Sequence, residues 1–447
     1  MARVRRRQAT LAAPPVSEED LRQLSARNNE PAWLLNHRLE SWEIYESLPM
    51  PTLQDEEWRR TDYRHIRWEE AGPLATQNGA RPAIDVIPKE NLAPLIGEEQ
   101  GGLLVFVDGE LIRYEFGDAL AQQGIYFAEL QQASQERSEL VQRYFMQKAV
   151  LPTDGKFAAL HGALWTHGVF LYVPPHVVAE LPLHVVNYVT KPGATLGHVL
   201  VIVEENAQAT LLVDYASPPG EKQAAYIGAT ELIVGDAANL RYVALQDWNR
   251  QTFEFSHQRA RVGREGQLDW IVGTMGTQLT KAHLELELDG RGANGRMSGF
   301  FFADDDQHFD LDTQQNHNAP LTSTDLLFKG AAKDVARTVW QGMIKSLPNM
   351  QKIDGYQVCR NLLLSKDARM DSIPGLEIEA DDVACSHAAT FGTLEEELMF
   401  YLMSRGITRP QAQLMLIDGF FDELLQRVPF ARVRDRLQEA IEAKILS

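Results

Sequence analysis

Two hydrophobic patterns divide the chain. From about residue 157 to 393, apolar runs of four to eight residues alternate with short polar turns, which is typical of β-strands. On either side, apolar residues recur at helical spacing. Ser17 to Asp20 form a helix N-cap signal, and Pro31 opens a second helix. The pattern predicts three domains: 1–156, mostly helical with one β-hairpin; 157–393, β; and 394–447, helical.

The hairpin of the first domain is predicted from Asp108-Gly109, a turn dipeptide that lies between the apolar runs Val105–Val107 and Leu111–Ile112. Residues 71–98 are rich in Gly, Pro, Ala and Asn and indicate a linker or surface loop. A further helix is expected over about 135–149. The first domain is therefore a mixed layer rather than a pure helical bundle.

The β region contains a repeat. Small polar turns precede strand-like runs at Ala209, Asn239, Gln267 and Asn294, at steps of 30, 28 and 27 residues. A turn that recurs at such a period is typical of a solenoid, and the repeating unit contains strands without a helix. The interpretation is a mainly β fold, a β-helix or related β-solenoid. The alternative is a β-sandwich, although its hairpins usually recur every 8–12 residues.

The last domain is predicted as helices with apolar stripes. The first covers Leu394–Ser404 and ends at a C-cap glycine, Gly406, and Pro410 lies in the first turn of the next. Such a module has two possible roles: to cap the end of the solenoid and hide its edge, or to dock a partner. The candidate partner-binding residues are Phe400, Tyr401, Arg405, Gly406, Met415 and Phe420.

Charge and cysteine content narrow the function classes. The 62 acidic and 43 basic residues give a formal charge of −19, which disfavours nucleic acid as a partner. The arginines between Arg3 and Arg7 could form a basic arm, but a solvated terminus is the simpler interpretation. Only two cysteines occur in 447 residues, which fits a reducing compartment. No apolar run has the length of a membrane span, so we expect a cytoplasmic protein without membrane contact.

The most informative chemistry is the pair Cys385 and His387. Residues i and i+2 of a strand point to the same face, so a thiol and an imidazole can lie side by side there. The pair supplies only half a coordination shell, and a packed cysteine with a hydrogen-bonded histidine is the alternative. Cys359 lies roughly one coil earlier and could stack near this strand, or it could be a small buried hydrophobe.

Other motifs point to turns. Gly290 to Gly295 match G-x-G-x-x-G, but a strand-like run follows where a dinucleotide site needs a helix, so we expect a solenoid turn. The acidic run Asp304–Asp306, with His308 and His317, matches no usual metal-ligand spacing and is expected to be a solvated turn. The sequence has no G-x-x-x-x-G-K-[ST] motif, so any ATP use belongs to a partner. No Ser or Cys pairs with a His and an acid in a catalytic pattern.

Several blocks together resemble the SufB/SufD family of iron–sulfur cluster assembly scaffolds. The SufB branch has a Glu-His-Glu-Ala-Thr-like run at the position of Cys385 to Thr390, so the chain is similar to the SufD branch. Two departures are Ala388, where a glycine is usual, and Cys359, where the SufB branch carries its sulfur-accepting cysteine. The blocks are Glu57–Asp62, Ala163–Pro175, His317–Ser323, Phe328–Gly330, Asn361–Ser365 and Leu376–Ile407.

The resemblance implies a non-enzymatic scaffold, built as a right-handed parallel β-helix flanked by helical N-terminal and C-terminal domains. It implies pairing with a SufB-like subunit through the β-helix and with a SufC-like ABC ATPase through the C-terminal helices. It also implies no stably bound cofactor, only a transient iron–sulfur cluster at the interface with SufB. His387 is the favoured ligand, with Cys385 and Cys359 as further candidates. The alternatives are a structural homodimer without cluster chemistry and a carbohydrate-active β-helix enzyme.

Overall fold

The fold of the computed structural model is a two-sheet parallel β-solenoid with helices packed on both outer faces. The structure describes residues 14–72, 83–93, 95 and 101–446. The Arg-rich start, and half of the predicted linker over 71–98, lie outside the described residues. The solenoid prediction is confirmed, and the β-sandwich alternative is wrong. The right-handed twist of the coil stays a prediction.

The strands begin with a hairpin and then alternate between the two sheets. They are β1 (Gly102–Val107), β2 (Glu110–Phe116), β3 (Tyr126–Glu129), β4 (His167–Val173), β5 (Leu183–Tyr188), β6 (Gly193–Thr195), β7 (Gly197–Val203), β8 (Gln208–Ala216), β9 (Ala224–Val234), β10 (Asn239–Asp247), β11 (Thr252–Val262), β12 (Gln267–Thr274), β13 (Leu279–Leu288), β14 (Asn294–Ala303), β15 (His308–His317), β16 (Ser323–Ala332), β17 (Arg337–Ser346), β18 (Ile353–Leu363), β19 (Arg369–Ile378) and β20 (Val383–Thr393).

The helices lie at both ends of the chain. They are α1 (Glu18–Arg27), α2 (Ala32–Ser47), α3 (Trp68–Ala71), α4 (Asp118–Gln122), α5 (Leu130–Glu136), α6 (Ser138–Tyr144), α7 (Lys156–Leu164), α8 (Glu396–Ser404), α9 (Arg409–Leu425) and α10 (Ala431–Leu446). Ser17 and Asp20 form the predicted capping box of α1. The helix expected over 135–149 is replaced by α5 and α6, which meet at Arg137. No helix of the described residues is long and apolar enough to cross a membrane.

The first sheet has the order β2-β1-β5-β8-β10-β12-β14-β16-β18-β20, and the second runs β19-β17-β15-β13-β11-β9-β7-β4-β3, with β6 beside β9. All pairs are parallel except the two at the N-terminal end, β1 with β2 and β3 with β4. The predicted hairpin at Asp108-Gly109 is confirmed, and β1 continues the first sheet by pairing with β5. The hairpin therefore belongs physically to the solenoid, while the division into three domains stays a prediction.

The repeat found in the sequence matches the register of the first sheet. Asn239, Gln267 and Asn294 are partners in successive strands, as their spacing predicts. The partner of Asn239 in β8 is Gln208, so the choice of Ala209 was wrong by one residue. The predicted turn at Gly290 is confirmed: a Cβ there would lie 1.9 Å from the Arg264 backbone nitrogen, so neighbouring turns touch through their main chains.

Three layers of apolar side chains hold the molecule together. The first fills the solenoid between the two sheets and includes Trp270 and Trp340. The second joins the N-terminal helices to the outer face of the second sheet, where the rings of Phe157 and Phe255 stack 4.0 Å apart. The third joins α9 and α10 to the outer face of the first sheet. Both outer faces of the solenoid are therefore covered by apolar packing, as a sheet that is apolar on both faces requires.

A chain of buried polar groups fastens the N-terminal layer to the second sheet. His161 on α7 contacts the Ile227 carbonyl through Nδ1 at 2.9 Å and His198 Nδ1 through Nε2 at 3.0 Å. His198 Nε2 lies 3.2 Å from Glu231 Oε1. Glu231 also accepts backbone N–H groups from the 146–150 segment. Burial raises the pKa of Glu231 to about 8, in spite of these N–H donors.

The helices α9 and α10 lie along the side of the solenoid, so of the two roles considered they do not perform that of an end cap. Phe421 of α9 packs on the outer face of the first sheet, 6.5 Å from Phe302. Lys444 of α10 donates to Asp304, Gln307 and the Phe302 carbonyl. Asp304 is 5% exposed and also binds Arg250. The expectation of a solvated turn fails for Asp304, because a lysine from a distant helix completes its environment.

Candidate functional site

The two ends of the solenoid differ. At the N-terminal end the sheets finish in β2 and β3, which run antiparallel to their neighbours. At the C-terminal end the outer edges of β19 and β20 pair with no described strand. Most of the side chains of these two strands are exposed or half-buried, whereas those of earlier strands are largely buried. The last coil is therefore an open end, and it carries the Cys385–His387 pair.

The register of β20 on β18 places the pair over the interior. Cys385 is the partner of Gly355 and His387 is the partner of Gln357. The Cys385 Sγ lies 3.1 Å from the point at which a side chain on Gly355 would begin, on the inner face. Because i and i+2 share a face of a strand, His387 stands on the same face. The structure thus brings the two predicted residues together.

The two side chains differ in access. His387 is exposed, whereas Cys385 is half-buried. Burial raises the pKa of the Cys385 thiol above its ordinary value, and the Gly355 backbone amide opposes this shift by hydrogen bonding to the sulfur. The imidazole is therefore accessible from outside the chain, and the thiol is less accessible.

Cys359 is in the neighbouring strand, as predicted, but away from Cys385. Its register partner is Ala389, four residues along β20 from Cys385, which corresponds to about 13 Å along the strand. Its thiol is fully buried, accepts from Ser372 Oγ at 3.5 Å and contacts Asn361 Oδ1 at 3.6 Å. Burial raises the pKa of Cys359 to about 12. A protonated, enclosed thiol is a poor ligand, so the structure argues against Cys359 in the isolated chain.

Beneath His387 the solenoid interior is polar. The Gln357 side chain is fully buried and donates to the carbonyl oxygens of Gly342 (3.3 Å) and Gly375 (3.1 Å) in the opposite sheet. It also accepts from Gln315 Nε2 at 3.3 Å. These contacts hold the two sheets together at the coil below the open end. Sequence reasoning did not single out Gln357, because its partners come from three other strands.

The described side chains do not complete a metal shell. No group of three or more His, Cys, Asp or Glu residues is placed to hold a metal ion in the part of the chain that the structure describes. Cys385 and His387 supply one sulfur and one nitrogen donor, which suit iron or zinc but fill half of a tetrahedral shell. Cys385 and His387 alone therefore do not complete a metal shell.

A second candidate surface lies on α8 and the start of α9. Phe400 is 73% exposed, and Tyr401, Met403 and Met415 are about half exposed. The Arg405 guanidinium lies 5.2 Å from the Tyr401 ring centre. We call these five residues the C-terminal apolar surface. Large apolar side chains grouped in this way mark interaction sites.

Two of the predicted partner-binding residues do not belong to this surface. Phe420 packs toward the solenoid, where its carbonyl accepts from Lys329 Nζ at 2.8 Å and its ring lies 5.0 Å from Phe421. Gly406 has a φ of +89° and ends α8, which is a backbone role. The helical spacing predicts an apolar stripe of Leu398, Tyr401 and Leu402 on α8, but the structure buries Met399 and exposes Leu398.

Comparison with known proteins decides the family. A model of the SufBD protein N-terminal region matches residues 22–185, and a model of the SUF system FeS cluster assembly SufBD core domain matches residues 186–420. The chain belongs to the SufBD family. The junction between the two family matches falls in β5, so the core-domain match begins within the first coils of the solenoid.

Relatives of the SufBD family match over nearly the whole chain. The iron–sulfur cluster assembly protein SufD of Bacillus subtilis (strain 168) is 31% identical over 441 residues, which cover 96% of this chain and 98% of that protein. An iron–sulfur cluster assembly SufBD family protein of Staphylococcus aureus (strain MRSA252) is 27% identical over 425 residues, 93% of this chain and 90% of that protein. The SufBD resemblance inferred from short motifs is confirmed.

Proposed function

We propose that this chain is a SufD-type, non-catalytic scaffold subunit of an iron–sulfur cluster assembly complex, and that it pairs through its open end with a SufB-like subunit. The observation that carries the proposal is the open end itself. Unpaired strand edges accept strands from another chain, and natural proteins usually cover or charge such edges. Here the edge carries exposed Phe391 and Leu376 instead.

The nascent cluster would be cargo at this interface rather than a resident cofactor. His387 and Cys385 offer two donors at the rim of the open end, and a SufB-like strand beside β20 would bring the others. A neutral imidazole and a thiolate are both competent ligands for iron. Because this chain provides half a shell, it holds a cluster only while the two subunits are paired.

ATP hydrolysis would belong to a separate subunit, since the sequence lacks a phosphate-binding loop. We assign the C-terminal apolar surface to a SufC-like ABC ATPase. The surface lies on α8 and on the exposed side of α9, whose buried side packs on the outer face of the first sheet. Glu395, Glu396 and Glu397 adjoin it and give it an acidic margin that favours a basic patch on the ATPase.

The same unpaired edges also support a second candidate, a homodimer through the open ends. A two-fold dimer would place β20 of one protomer beside β20 of the other. It would contribute two identical donor pairs, Cys385 and His387 from each chain. Membership of the SufBD family argues against the carbohydrate-active enzyme considered from the sequence.

A charge placed on the open end tests the pairing. Phe391 on β20 and Tyr114 on β2 are aromatic residues on the outermost strands of the first sheet, and each is 49% exposed. Phe391→Glu should abolish the complex with a SufB-like subunit in size-exclusion chromatography, while Tyr114→Glu, at the closed end, should leave it intact. Equal binding by both variants would overturn the assignment. The mass of the wild-type chain alone distinguishes monomer from homodimer.

A further inference from the structure

One buried histidine at the open end has no role in the proposal above. His317 ends β15 and is fully buried inside the solenoid. It contacts the hydroxyls of Thr322 and Thr324, which begin the next pass of the chain. The presence of a histidine in the core calls for an explanation, because an apolar side chain would fill the same volume without the cost of burying polar groups.

The inner column beside His317 changes character as it approaches the open end. In the earlier coils the register aligns the apolar residues Ala209, Leu240 and Leu268. The next positions are Gly295, Thr324, Gly355 and finally Cys385. The polar part of the column is confined to the coils next to Cys385, which is not what uniform core packing produces.

Gly355 leaves a space that both donor atoms border. A Cβ on Gly355 would lie 3.1 Å from Cys385 Sγ and 3.4 Å from His317 Nε2. The third neighbour is Ile344 Cγ2, at 3.2 Å, so the far wall of the space is apolar. A thiol sulfur and an imidazole nitrogen therefore both lie within 3.4 Å of a position where the chain has no side chain.

The hydrogen bonds of His317 fix which nitrogen carries its proton. The Thr322 hydroxyl donates to the Ala319 carbonyl at 3.0 Å, so its oxygen accepts from His317 Nδ1–H at 2.7 Å. In a neutral imidazole the lone pair is then on Nε2, the atom beside the Gly355 space. The Thr324 hydroxyl, 3.2 Å away, is its present neighbour. An Nδ1–H held by an oxygen acceptor with Nε2 left to bind is the arrangement of metal-ligating histidines.

We propose that His317 and Cys385 form a thiolate–imidazole half-site for a thiophilic divalent metal ion, inside the last coils of the single chain. Its biological meaning rests on the proposed assembly function, in which it would receive iron before the cluster forms. Binding makes one metal–sulfur and one metal–nitrogen bond, releases the Cys385 thiol proton to solvent and displaces the Thr324 hydroxyl from Nε2. Water or donors from a second chain fill the remaining positions.

Cobalt(II) is a suitable probe, because thiolate-to-cobalt charge transfer is visible in absorption spectra. Anaerobic titration of the purified wild-type chain should show one thiolate ligand per chain. Cys385→Ser should remove the band. His317→Gln should weaken cobalt binding by roughly 10- to 100-fold or more, since loss of a ligand costs at least as much as loss of its supporting shell. Cys359→Ser is the matched control and should change nothing.

Gly355→Ala gives an independent test that keeps both donors. The added methyl group occupies the space between them and should weaken cobalt binding as His317→Gln does, while circular dichroism and thermal unfolding confirm the fold. Wild-type affinity in either folded variant would overturn the proposal, as would loss of the band in Cys359→Ser. If His317→Gln fails to fold, Gly355→Ala decides. The titration uses the chain alone, so its failure leaves the pairing test with Phe391→Glu unaffected.

Discussion

His387 and Gln357 are register partners in the last two strands of the first sheet, an exposed imidazole above a buried carboxamide. The Gln357 carboxamide is fixed by hydrogen bonds to two strands of the second sheet, β17 and β19. The coil below His387 is therefore held by hydrogen bonds between the two sheets, although β20 itself is an edge strand. This combination suits a ligand that has to be ordered before its partner arrives.

Replacement of His387 should impair cluster assembly without disturbing the fold. In a complex with SufB-like and SufC-like subunits, His387→Ala should lower cluster yield by roughly tenfold or more, because a ligand is lost. Cys385→Ser should have a smaller effect, since the partner can supply thiolates. Cluster formation is followed by absorption after anaerobic reconstitution. Ser386→Ala, the exposed neighbour on the opposite face, is the control. Cluster assembly at the wild-type rate in His387→Ala would identify a structural histidine.

Truncation of the C-terminal apolar surface should weaken ATPase binding. Phe400→Ala and Met415→Ala each remove an exposed side chain, and loss of an interface hot spot costs about 2 kcal/mol or more. Isothermal titration calorimetry with the ABC ATPase should show the loss, while thermal unfolding stays at the wild-type midpoint. Val335→Ala, an exposed valine in the turn after β16, should bind normally. Unchanged affinity in both surface variants would place the ATPase elsewhere.

Truncation of Phe421, in contrast to that of the surface residues, should lower the stability of the fold. Its side chain is 1% exposed and joins α9 to the outer face of the first sheet, so Phe421→Ala should lower the free energy of unfolding by about 3–5 kcal/mol. Urea unfolding followed by circular dichroism measures the change. A loss below about 1 kcal/mol would mean that α9 is not docked in solution. For the same reason, deletion of 409–447 would expose the sheet and would not isolate partner binding.

The buried Glu231 should make stability depend on pH. His161 Nδ1–H donates to a carbonyl, so His161 Nε2 accepts from His198 Nδ1–H, and His198 Nε2 accepts a hydrogen bond from the protonated carboxyl of Glu231. The pKa of Glu231 is raised to about 8 in the folded state from 4.5. The folded state thus keeps a proton that the unfolded chain releases, and its contribution to stability disappears as pH rises through 8.

Glu231→Gln tests this dependence, because glutamine can also donate to His198. Urea unfolding at pH 7, 8 and 9 should show a falling free energy for the wild type and a flatter profile for the variant. The buried histidines have lowered pKa values and titrate below this window. Parallel profiles for the two proteins would contradict the proton assignment.

Local signals in the sequence predict the solenoid and much of the site. The turns at Asn239, Gln267 and Asn294 are stacking positions, and the i, i+2 spacing of Cys385 and His387 does place them on one face. Both depend on backbone geometry that a short segment determines by itself. The capping box at Ser17 and the hairpin at Asp108 follow for the same reason.

Long-range contacts explain what the sequence did not predict. Asp304 looks solvated until Lys444, 140 positions later, is placed against it. His317 looks like part of an acidic turn until Gly355 and Cys385 arrive from later strands. Met399 is buried in place of Leu398 because the orientation of α8 is set by its packing on α9, and both residues are equally apolar. In each case the deciding neighbour lies on another coil or helix.

The difference between the two ends of the solenoid limits the size of what it can build. End-to-end stacking depends on the strands at the two ends, and these differ. At one end β19 and β20 continue the parallel sheets, and at the other β2 and β3 run antiparallel to their neighbours, with the ion pair of Arg113 and Glu115 on β2. We therefore expect a second chain to add at β19 and β20 rather than at β2 and β3. For a molecule built from repeats, an architecture prone to form filaments, the expected product is a pair.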